Sequence, residues 1–483
     1  SDLAQVCRVK VIAPCAAVTL VGRGMRGMMH RLSDILAEIG ARRVHLISQS
    51  SNNLNLTFVI DAADADGVVP SLHAHLVRAR LTGNEGDPVF GPSWRELAGA
   101  QAPRVANWWE AARPELLQLA VAGTPTYVYA DSIVRQRAQS LFELKAVDRR
   151  FYAIKANPHP RILQTLTELG LGLECVSQGE LEWVRQVLPE LPVERILFTP
   201  NFAARGEYAF ALGLGVRVTV DNVQILQDWA SLFSGQQILL RLDLGRGLGH
   251  HDKVKTGGEK SKFGIGIQDL DTAIALTRSA DIEVIGLHAH LGSGIFDVSH
   301  WKSVYADLAA LADRFPALRY LDIGGGLGVP HEANEAPLDM AQLDATLAQV
   351  KALYPRFELW IEPGRYLVAE AGVLLASVTQ IKRKSGVQFV GIDAGMHTLL
   401  RPALYDAWHD MVNLTRFDQV AEGRWQVVGP ICESGDILGR DRALPTAQEG
   451  DVLLIANAGA YGAAMASRYN LREAVKEIYV DEL

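Results

Sequence analysis

The amino-terminal part of the chain carries three apolar runs with strand-like alternation and two segments with helical spacing. The runs read VTLVG, RVHLISQS and NLNLTFVID, and the helical segments MHRLSDILAEIG and DGVVPSLHAHLV follow the first and the third run. Apolar residues at every second position predict half-buried strands, and recurrence every three to four positions predicts amphipathic helices. This order of elements predicts a small α+β, ferredoxin-like domain over residues 1–85.

The regular pattern is interrupted after this domain. Residues 82–122 are richer in Gly, Pro, Trp and polar residues, and stretches such as TGNEGDP and FGPSW are typical of loops. We therefore predict a linker over residues 86–122, with a short helix around Trp108 to Leu119. A strand and a helix over residues 123–150 then lead into the next domain.

From Phe151 onwards, strand and helix patterns alternate regularly. The first seven of eight apolar runs are each followed by a helical pattern, and the eight runs read FYAIKA, GLECV, RILFT, RVTVD, ILLRLDL, EVIGLHAHL, LRYLDIGG and ELWIEP. Eight such units predict a (β/α)8 barrel over residues 151–366. The helical patterns then largely stop, and VLLASVTQIKRK, VQFVGIDA, RWQVVGPIC and DVLLIANAG predict a C-terminal antiparallel β-domain over residues 367–483, to which PTYVYA could also belong.

Composition narrows the class of protein. The 483 residues are 48% hydrophobic and 21% charged, which predicts a globular protein of two or three domains. A net charge of −8 disfavours nucleic-acid binding, and no apolar run approaches the roughly 20 residues needed to span a bilayer. The four cysteines show no CxxC spacing, so we expect a reducing cytoplasm, no disulfide framework and no metal site.

Four motifs fall at the carboxyl ends of predicted barrel strands. Lys155 ends the first strand, HAHLGSG with His290 ends the sixth, GGGLG from Gly324 ends the seventh, and EPGR from Glu362 ends the eighth. Active sites of such barrels lie on this rim, so we predict that the four motifs share one pocket.

The chemistry of these residues fits pyridoxal 5'-phosphate. A lysine amine can bind an aldehyde cofactor covalently, glycine-rich backbone can hold a phosphate, and a carboxylate can keep a ring nitrogen protonated. Each residue also has a structural alternative: an ion-paired Lys155, a packed His290, turn-forming glycines, or a surface pair of Glu362 with Arg365. Their combination in one chain favours the cofactor.

The lysine motif YAIKAN, followed in order by HAHLGSG, GGGLG, EPGR and CESGD, resembles diaminopimelate decarboxylases, which are fold-type III pyridoxal phosphate enzymes. The resemblance spans roughly residues 124–483. It implies a catalytic lysine and a proton-donating cysteine, Lys155 and Cys432. It implies these cofactor-binding residues: Lys155, His290, Ser293, Gly324, Gly325, Gly326, Glu362, Pro363, Gly364, Arg365 and Tyr461. It implies these substrate-binding residues: Arg365, Arg401, Tyr405, Glu433 and Tyr461.

The resemblance also implies a reaction and an assembly. Decarboxylation of meso-2,6-diaminopimelate to L-lysine is expected, because an additional arginine and Glu433 suit a substrate with a distal carboxylate and a distal ammonium. The CESGD loop is expected to complete the site of a partner in a homodimer. The alternatives are an ornithine- or arginine-type decarboxylase, an amino-acid racemase, and a non-catalytic lysine-sensing regulator. Gly294 stands where many relatives have glutamine, which affects only local phosphate contacts.

The amino-terminal domain has its own resemblance. GRGMRG matches a GxGxxG dinucleotide pattern, but no acidic residue ends the following strand and the Rossmann strands are incomplete. The segment from VTLVG to FVID instead resembles the ACT regulatory domain of aspartate kinases. That resemblance implies either lysine binding or a dimerising role. A kinase-type ACT domain and a start at Ser1 predict that the chain is the carboxyl part of a bifunctional aspartate kinase/diaminopimelate decarboxylase.

Overall fold

The protein is represented by a computed structural model, which describes residues 14–21, 42–49, 55–76, 107–245, 248–249, 261–331 and 335–481. The chain divides into two compact units, Ser1–Val105 and Ala106–Leu483. Within the described ranges, no helix is both long and apolar enough to cross a bilayer.

The amino-terminal unit contains a three-stranded antiparallel sheet in the order β1-β3-β2 and a helix. Its elements are β1 (Cys15–Val21), β2 (Val44–Gln49), β3 (Asn55–Asp61) and α1 (Ala65–Leu76). Phe58 and Ile60 of β3 pack with Val68 and Leu72 of α1, because alternate side chains of a strand face the same side. The three predicted strands and the second predicted helix are confirmed. The first predicted helix and GRGMRG lie outside the described residues.

Eight parallel strands of the second unit close into the predicted barrel, because the eighth strand pairs with the first, and the fourth with the fifth. The strands are β5 (Arg149–Ala153), β6 (Gly172–Cys175), β7 (Ile196–Phe198), β8 (Arg217–Val220), β9 (Gln237–Asp243), β12 (Glu283–His288), β14 (Tyr320–Asp322) and β15 (Glu358–Ile361). Short strands on the loops are β10 (Leu248–Gly249), β11 (Ile265–Gly266) and β13 (Gly292–Ser293). The helices that follow the strands are α5 (Pro160–Glu168), α6 (Gln178–Val187), α7 (Arg205–Leu214), α8 (Val223–Asp228), α9 (Ala230–Phe233), α10 (Leu270–Ser279), α11 (Ser299–Leu311) and α12 (Met340–Leu353).

An apolar layer fills the barrel below the rim. It contains Phe151, Leu197, Leu239, Ile285, Tyr320 and Trp360, one from each of six strands. The rings of Tyr320 and Trp360 stack with centroids 4.2 Å apart. Because side chains of a strand alternate in direction, Ala153, Thr199, Arg241 and Glu362, each two positions beyond a residue of this layer, face the cavity near the carboxyl ends.

The remainder of the second unit is a mixed β-sheet rather than the predicted antiparallel one. Most neighbouring strands are antiparallel, but Val387–Ile392 pairs with Gly423–Val428, and Thr126–Ala130 with Lys476–Val480, in parallel. The strands are β4 (Thr126–Ala130), β16 (Gly372–Lys384), β17 (Val387–Ile392), β18 (Met411–Asn413), β19 (Gly423–Val428), β20 (Ile437–Leu444), β21 (Val452–Ile455) and β22 (Lys476–Val480). PTYVYA does belong to this sheet, because β4 pairs with β16.

Five helices of the described residues accompany this sheet. They are α2 (Trp108–Ala111), α3 (Arg113–Val121), α4 (Asp131–Phe142), α13 (Arg365–Val368) and α14 (Arg401–Tyr405). Trp109 of α2 and Leu116 of α3 share a core with Val128, Val373 and Leu454 of the sheet. The carboxyl part of the segment predicted as a linker is therefore packed into the second unit.

Candidate active site

A cavity of about 400 Å³ opens at the carboxyl ends of the barrel strands. Its lining combines side chains from the barrel strands with others from the β-sheet region. Of the residues predicted from the sequence, it contains Lys155, His290, Ser293, Gly326, Glu362, Gly364, Arg365, Arg401, Tyr405 and Tyr461. The fold thus brings together residues separated by more than 300 positions in the chain.

Lys155 lies in a 3-10 turn, Ile154–Ala156, directly after β5. Its Nζ donates hydrogen bonds to both carboxylate oxygens of Glu174, at 3.1 Å to Oε1 and 2.9 Å to Oε2. Glu174 is buried and also accepts a hydrogen bond from Thr199. Burial lowers the pKa of Lys155, but the charge and hydrogen bonds of Glu174, together with Tyr461 and Glu362, outweigh this effect and the pKa lies above its ordinary value. The amine is therefore held as an ammonium group inside the cavity.

Glu362 is a buried carboxylate at the end of β15. One oxygen, Oε2, lies 3.1 Å from Nε2 of His288, whereas Oε1 has no hydrogen-bond partner among the described residues. Burial raises the pKa of Glu362, but His288 and then Lys155 oppose it and lower the pKa to about 2. Asp322, also buried, has a pKa well above its ordinary value, because of burial and the nearby charge of Glu362. Glu362 therefore carries the negative charge.

The glycine loop after β14 supports His290. Gly324 N donates to Asp322 Oδ1 at 2.8 Å, and Gly325 N donates to His290 Nδ1 at 3.1 Å. A Cβ on Gly325 would lie 2.3 Å from Glu362 O, and one on Gly326 would lie 2.5 Å from Gly292 O. Only glycines fit this close packing. The amides of Gly324 and Gly325 thus bond within the protein, whereas Gly326 lines the cavity, and the phosphate-holding role of the loop stays a prediction.

His290 receives this hydrogen bond as a neutral ring. Burial, followed by the charges of Arg241 and Lys155, lowers the pKa of His290 well below its ordinary value. Pro363 lies behind the cavity and accepts a hydrogen bond from Ala153 N at 3.2 Å. A flat, neutral imidazole on the cavity wall is able to stack on an aromatic ring.

Two buried arginines give the cavity an anion-binding side. Arg365 is 9% exposed and Arg401 is 1% exposed. Arg365 Nε and Nη1, and Arg401 Nε and Nη2, have no hydrogen-bond partner among the described residues. The guanidinium of Arg365 lies 4.9 Å from the centroid of the Tyr461 ring. Two buried cations with unused donors suit a carboxylate or phosphate ligand.

Cys432 and Glu433 do not line the cavity of their own chain. Both are exposed, and Glu433 Oε1 accepts a hydrogen bond from Tyr469 at 2.6 Å. Asp436 holds the base of their loop by accepting hydrogen bonds from Met396 N and Ile431 N, at 2.6 and 2.7 Å. The CESGD loop is therefore presented outwards.

Sequence reasoning overlooked Glu174 and His288, the direct partners of Lys155 and Glu362. A signal was available for both, because Glu174 is the single charged residue of the apolar run GLECV and His288 opens HAHLGSG. A charged side chain in a buried strand needs a partner, which makes such positions candidates for the site. Thr199, Asn201, Arg241, Lys262, Phe263 and Met465 also line the cavity.

The lining fits a cofactor with an aldehyde, a basic ring nitrogen and an anionic tail. Lys155 offers an amine, and the unpartnered Glu362 Oε1 can accept a hydrogen bond from a protonated ring nitrogen. Gly326 lines the cavity, where its backbone can contact a phosphate. Arg365 and Arg401 remain for the carboxylate of a second ligand.

Comparison with known families supports this fit. Residues 130–369 match the family described as pyridoxal-dependent decarboxylase, pyridoxal binding domain. Residues 18–76 match the ACT domain family. The first match covers the barrel with most of its cavity residues, and the second covers the sheet of the amino-terminal unit.

Individual relatives give a consistent result. The chain is 37% identical over 380 residues to the diaminopimelate decarboxylase of Methanothermobacter thermautotrophicus, an alignment that covers 74% of this chain and 87% of that protein. It is 37% identical over 363 residues to the enzyme of the same name from Deinococcus radiodurans, covering 74% and 90%. A crystal structure of diaminopimelate decarboxylase from Helicobacter pylori complexed with L-lysine superimposes with a TM-score of 0.71 at 30% identity, covering 76% of this chain and 94% of that one.

Proposed function

The chain belongs to the diaminopimelate decarboxylase family, and we propose on this basis that its barrel cavity converts meso-2,6-diaminopimelate to L-lysine and carbon dioxide with pyridoxal 5'-phosphate. The family match confirms the resemblance seen in the sequence, and the match over residues 18–76 confirms the ACT domain. The observation that carries the function is that Lys155 and Glu362 line the same cavity, which is also lined by two arginines with unused hydrogen-bond donors.

The barrel residues prepare the cofactor end of the site. When bound, pyridoxal phosphate supplies an electron-accepting ring that takes up the electron pair left behind by departing carbon dioxide. Lys155 Nζ would hold the aldehyde of the cofactor once its extra proton has passed to a base, and Glu174, which accepts its hydrogen bonds, is placed to take that proton. Glu362 Oε1 would hold the ring nitrogen in its protonated form, and His288 Nε2 fixes the other oxygen of this carboxylate at 3.1 Å. His290 would support the ring, and Gly326 with Ser293 would hold the phosphate.

The arginines bind the far end of the substrate. Arg365 and Arg401 each keep two donors without a partner among the described residues, which is the arrangement that a carboxylate needs. Tyr405 and Tyr461 line the same side of the cavity. A substrate ending only in an amine, such as ornithine, would leave both buried guanidinium groups uncompensated. This mismatch disfavours the ornithine- or arginine-type alternative.

A homodimer completes the site in this proposal. Cys432 and Glu433 are exposed and outside their own cavity, on a loop anchored by Asp436. The loop of a second copy would bring the Cys432 thiol to the substrate carbon, where it donates the proton that replaces carbon dioxide. Glu433 of that loop would meet the distal ammonium. A thiol is mostly protonated at neutral pH and is able to act as this acid.

The function is tested by measuring carbon dioxide release from meso-diaminopimelate, ornithine and arginine in parallel. We expect release from diaminopimelate alone, and activity confined to ornithine or arginine would contradict the proposal. The purified protein should show an absorbance band near ~420 nm that the Lys155→Ala variant lacks. Retention of the band in that variant would remove Lys155 from its role.

The ACT domain is proposed to bind L-lysine, the product of the barrel. This proposal is supported by the match of residues 18–76 to the ACT domain family. It is also supported by the division of the chain, in which Ser1–Val105 forms a compact unit. Titration of lysine into a fragment of residues 1–105 should release heat, whereas a fragment that folds without binding would leave only the dimerising role. The fusion to an aspartate kinase and the cytoplasmic location stay predictions.

A further inference from the structure

Behind Arg401 lies a histidine that none of the motifs singled out. His409 is fully buried, and its Nε2 lies 2.9 Å from Arg401 Nη1. Its Nδ1 lies 2.9 Å from the backbone oxygen of Ala456, the residue after β21. His409 thus connects an arginine of the cavity to the backbone of the mixed sheet.

The two contacts determine the tautomer of His409. A guanidinium group can only donate hydrogen bonds, and a carbonyl oxygen can only accept them. Nδ1 must therefore carry the hydrogen and donate to Ala456, and Nε2 must accept from Arg401. Burial, followed by the charge of Arg401, lowers the pKa of His409 well below its ordinary value. A neutral ring of this tautomer is the form that can hold an arginine.

Arg401 needs the hydrogen bond to His409 because the positive charge of Arg365 lies nearby and repels it. Burial, followed by the charge of Arg365, lowers the pKa of Arg401 to about 9. With Nη1 bound to His409, the donors Nε and Nη2 are left for a ligand in the cavity. A long side chain without this bond would lose its preferred orientation in the absence of substrate.

We propose that His409 is a positioning residue that fixes Arg401 for the distal carboxylate of the substrate and so sets the preference for dicarboxylic diamino acids. The inference rests on the proposed function, because it takes Arg401 as a carboxylate-binding group. His409 touches neither substrate nor cofactor. It acts by keeping the fork of Arg401 orientated towards the cavity.

The test uses L-lysine and cadaverine as a matched pair of ligands. Lysine keeps the distal carboxylate of diaminopimelate, whereas cadaverine has the same chain and both amines but no carboxylate. Titration of each ligand into the cofactor-loaded full chain, followed by the cofactor absorbance, reports on the barrel site alone. In His409→Leu we expect the affinity for lysine to fall roughly tenfold and that for cadaverine to stay the same.

Kinetics give a second readout. The Michaelis constant for diaminopimelate should rise roughly tenfold in His409→Leu, with kcat changed by less than about threefold. His409→Gln places an amide oxygen near the position of Nε2 and should restore most of the affinity. His397→Leu is the control, since His397 is 3% exposed in the same sheet region and lies outside the cavity lining.

The outcomes separate this inference from the proposed function. Unchanged lysine affinity in His409→Leu, equal weakening of lysine and cadaverine, or a Gln variant as defective as the Leu variant would each overturn the role of His409. A wild-type protein with no preference for lysine over cadaverine would overturn it as well. Absence of diaminopimelate decarboxylation in the wild type would instead contradict the proposed function, and the ligand titrations would still be readable.

Discussion

At the scale of single residues, the charge of Glu362 is the property on which the proposed chemistry depends most directly. Its pKa of about 2 means that the carboxylate stays ionised throughout the working range of an enzyme. Glu362→Gln keeps the shape and removes the charge, so the ring nitrogen loses its proton. We expect the rate of decarboxylation to fall by about 100-fold to 1,000-fold while the cofactor band persists. Steady-state kinetics with diaminopimelate and an absorbance spectrum measure the two effects.

Glu358 provides a matched control for this substitution. It lies on the same strand at the opposite end of the barrel, where it accepts hydrogen bonds from Arg149 and Trp360 at 3.0 Å. Glu358→Gln should leave the rate near that of the wild type. A Glu362→Gln variant as active as Glu358→Gln would show that the ring needs no anion at this position.

A second prediction concerns the backbone of the glycine loop. Gly326 has φ of +92°, and a Cβ there would lie 2.5 Å from Gly292 O. Gly326→Ala should therefore shift the loop, weaken cofactor binding about tenfold or more and destabilise the fold by about 1–3 kcal/mol. Equilibrium dialysis of pyridoxal phosphate and denaturant unfolding measure these changes.

Gly213 is the corresponding control, because it lies within α7 and a Cβ added there meets nothing within 4 Å. Gly213→Ala should leave cofactor binding intact and stabilise the protein by about 0.5 kcal/mol through helix propensity. Equal cofactor affinity in the two alanine variants would exclude a backbone role for Gly326.

The residues that bear the chemistry were predictable from the sequence only where they belong to motifs. Lys155, His290 and Glu362 occur in short patterns with an obvious chemical use. Glu174 and His288 are partners of those residues, and a partner is defined by a distance between strands that spacing along the chain does not encode. His409 follows the predicted site residue Tyr405 by only four positions, yet its role depends on the backbone of Ala456.

At the scale of elements, the amino terminus of α6 contains a carboxyl group whose ionisation should affect stability. Ser177 caps this helix by accepting from Glu180 N at 3.2 Å, and Glu180 Oε2 accepts from Val176 N at 2.7 Å. Burial, followed by the charge of Glu174, raises the pKa of Glu180 from 4.5 to about 7. A raised carboxyl pKa means that the folded state prefers the protonated form.

The sign of the pH dependence follows from this preference. The contribution of Glu180 to stability is fully present below pH 4.5 and is lost as the pH rises through about 7. Glu180→Gln imitates the protonated form and keeps the acceptor for Val176. The free energy of unfolding of the variant should equal that of the wild type at low pH. At pH 8 it should be higher by roughly 1–3 kcal/mol. Denaturant unfolding at both pH values measures the difference, and a constant difference would contradict the assignment.

Hydrophobic periodicity predicted the barrel strands well, because each strand is a short run of buried apolar residues that can be recognised from its own sequence. The mixed sheet was less predictable for a physical reason. Its parallel pairs, β4 with β22 and β17 with β19, join segments whose direction is set by distant contacts. Strand β18 has only three residues, too few to show a period of two. The sequence therefore indicated a β-rich region but not the direction of every strand in it.

At the scale of the whole molecule, the cavity depends on both parts of the second unit. Lys155, Glu362 and His290 come from barrel strands, whereas Arg401, Tyr405 and Tyr461 come from the sheet region. The backbone joins the two parts at the site itself, since Tyr461 N donates to Ala156 O at 2.7 Å, one residue after Lys155. The barrel alone would hold the cofactor end without Arg401, one of the two arginines proposed for the distal carboxylate.

The outward position of Cys432 leads to a prediction about assembly. If each site combines Lys155 of one chain with Cys432 of another, Lys155→Ala and Cys432→Ala homodimers are both inactive. When the two variants are mixed in equal amounts, unfolded and refolded together, half of the dimers contain one chain of each variant. Each of these heterodimers holds one intact site. Activity should therefore return to about a quarter of the wild-type value. Mixing Lys155→Ala with Glu362→Gln restores nothing, because both residues belong to the same cavity. No recovery with Cys432→Ala would place Cys432 outside the partner's site, and recovery in the control would show that Lys155 and Glu362 do not act in the same cavity.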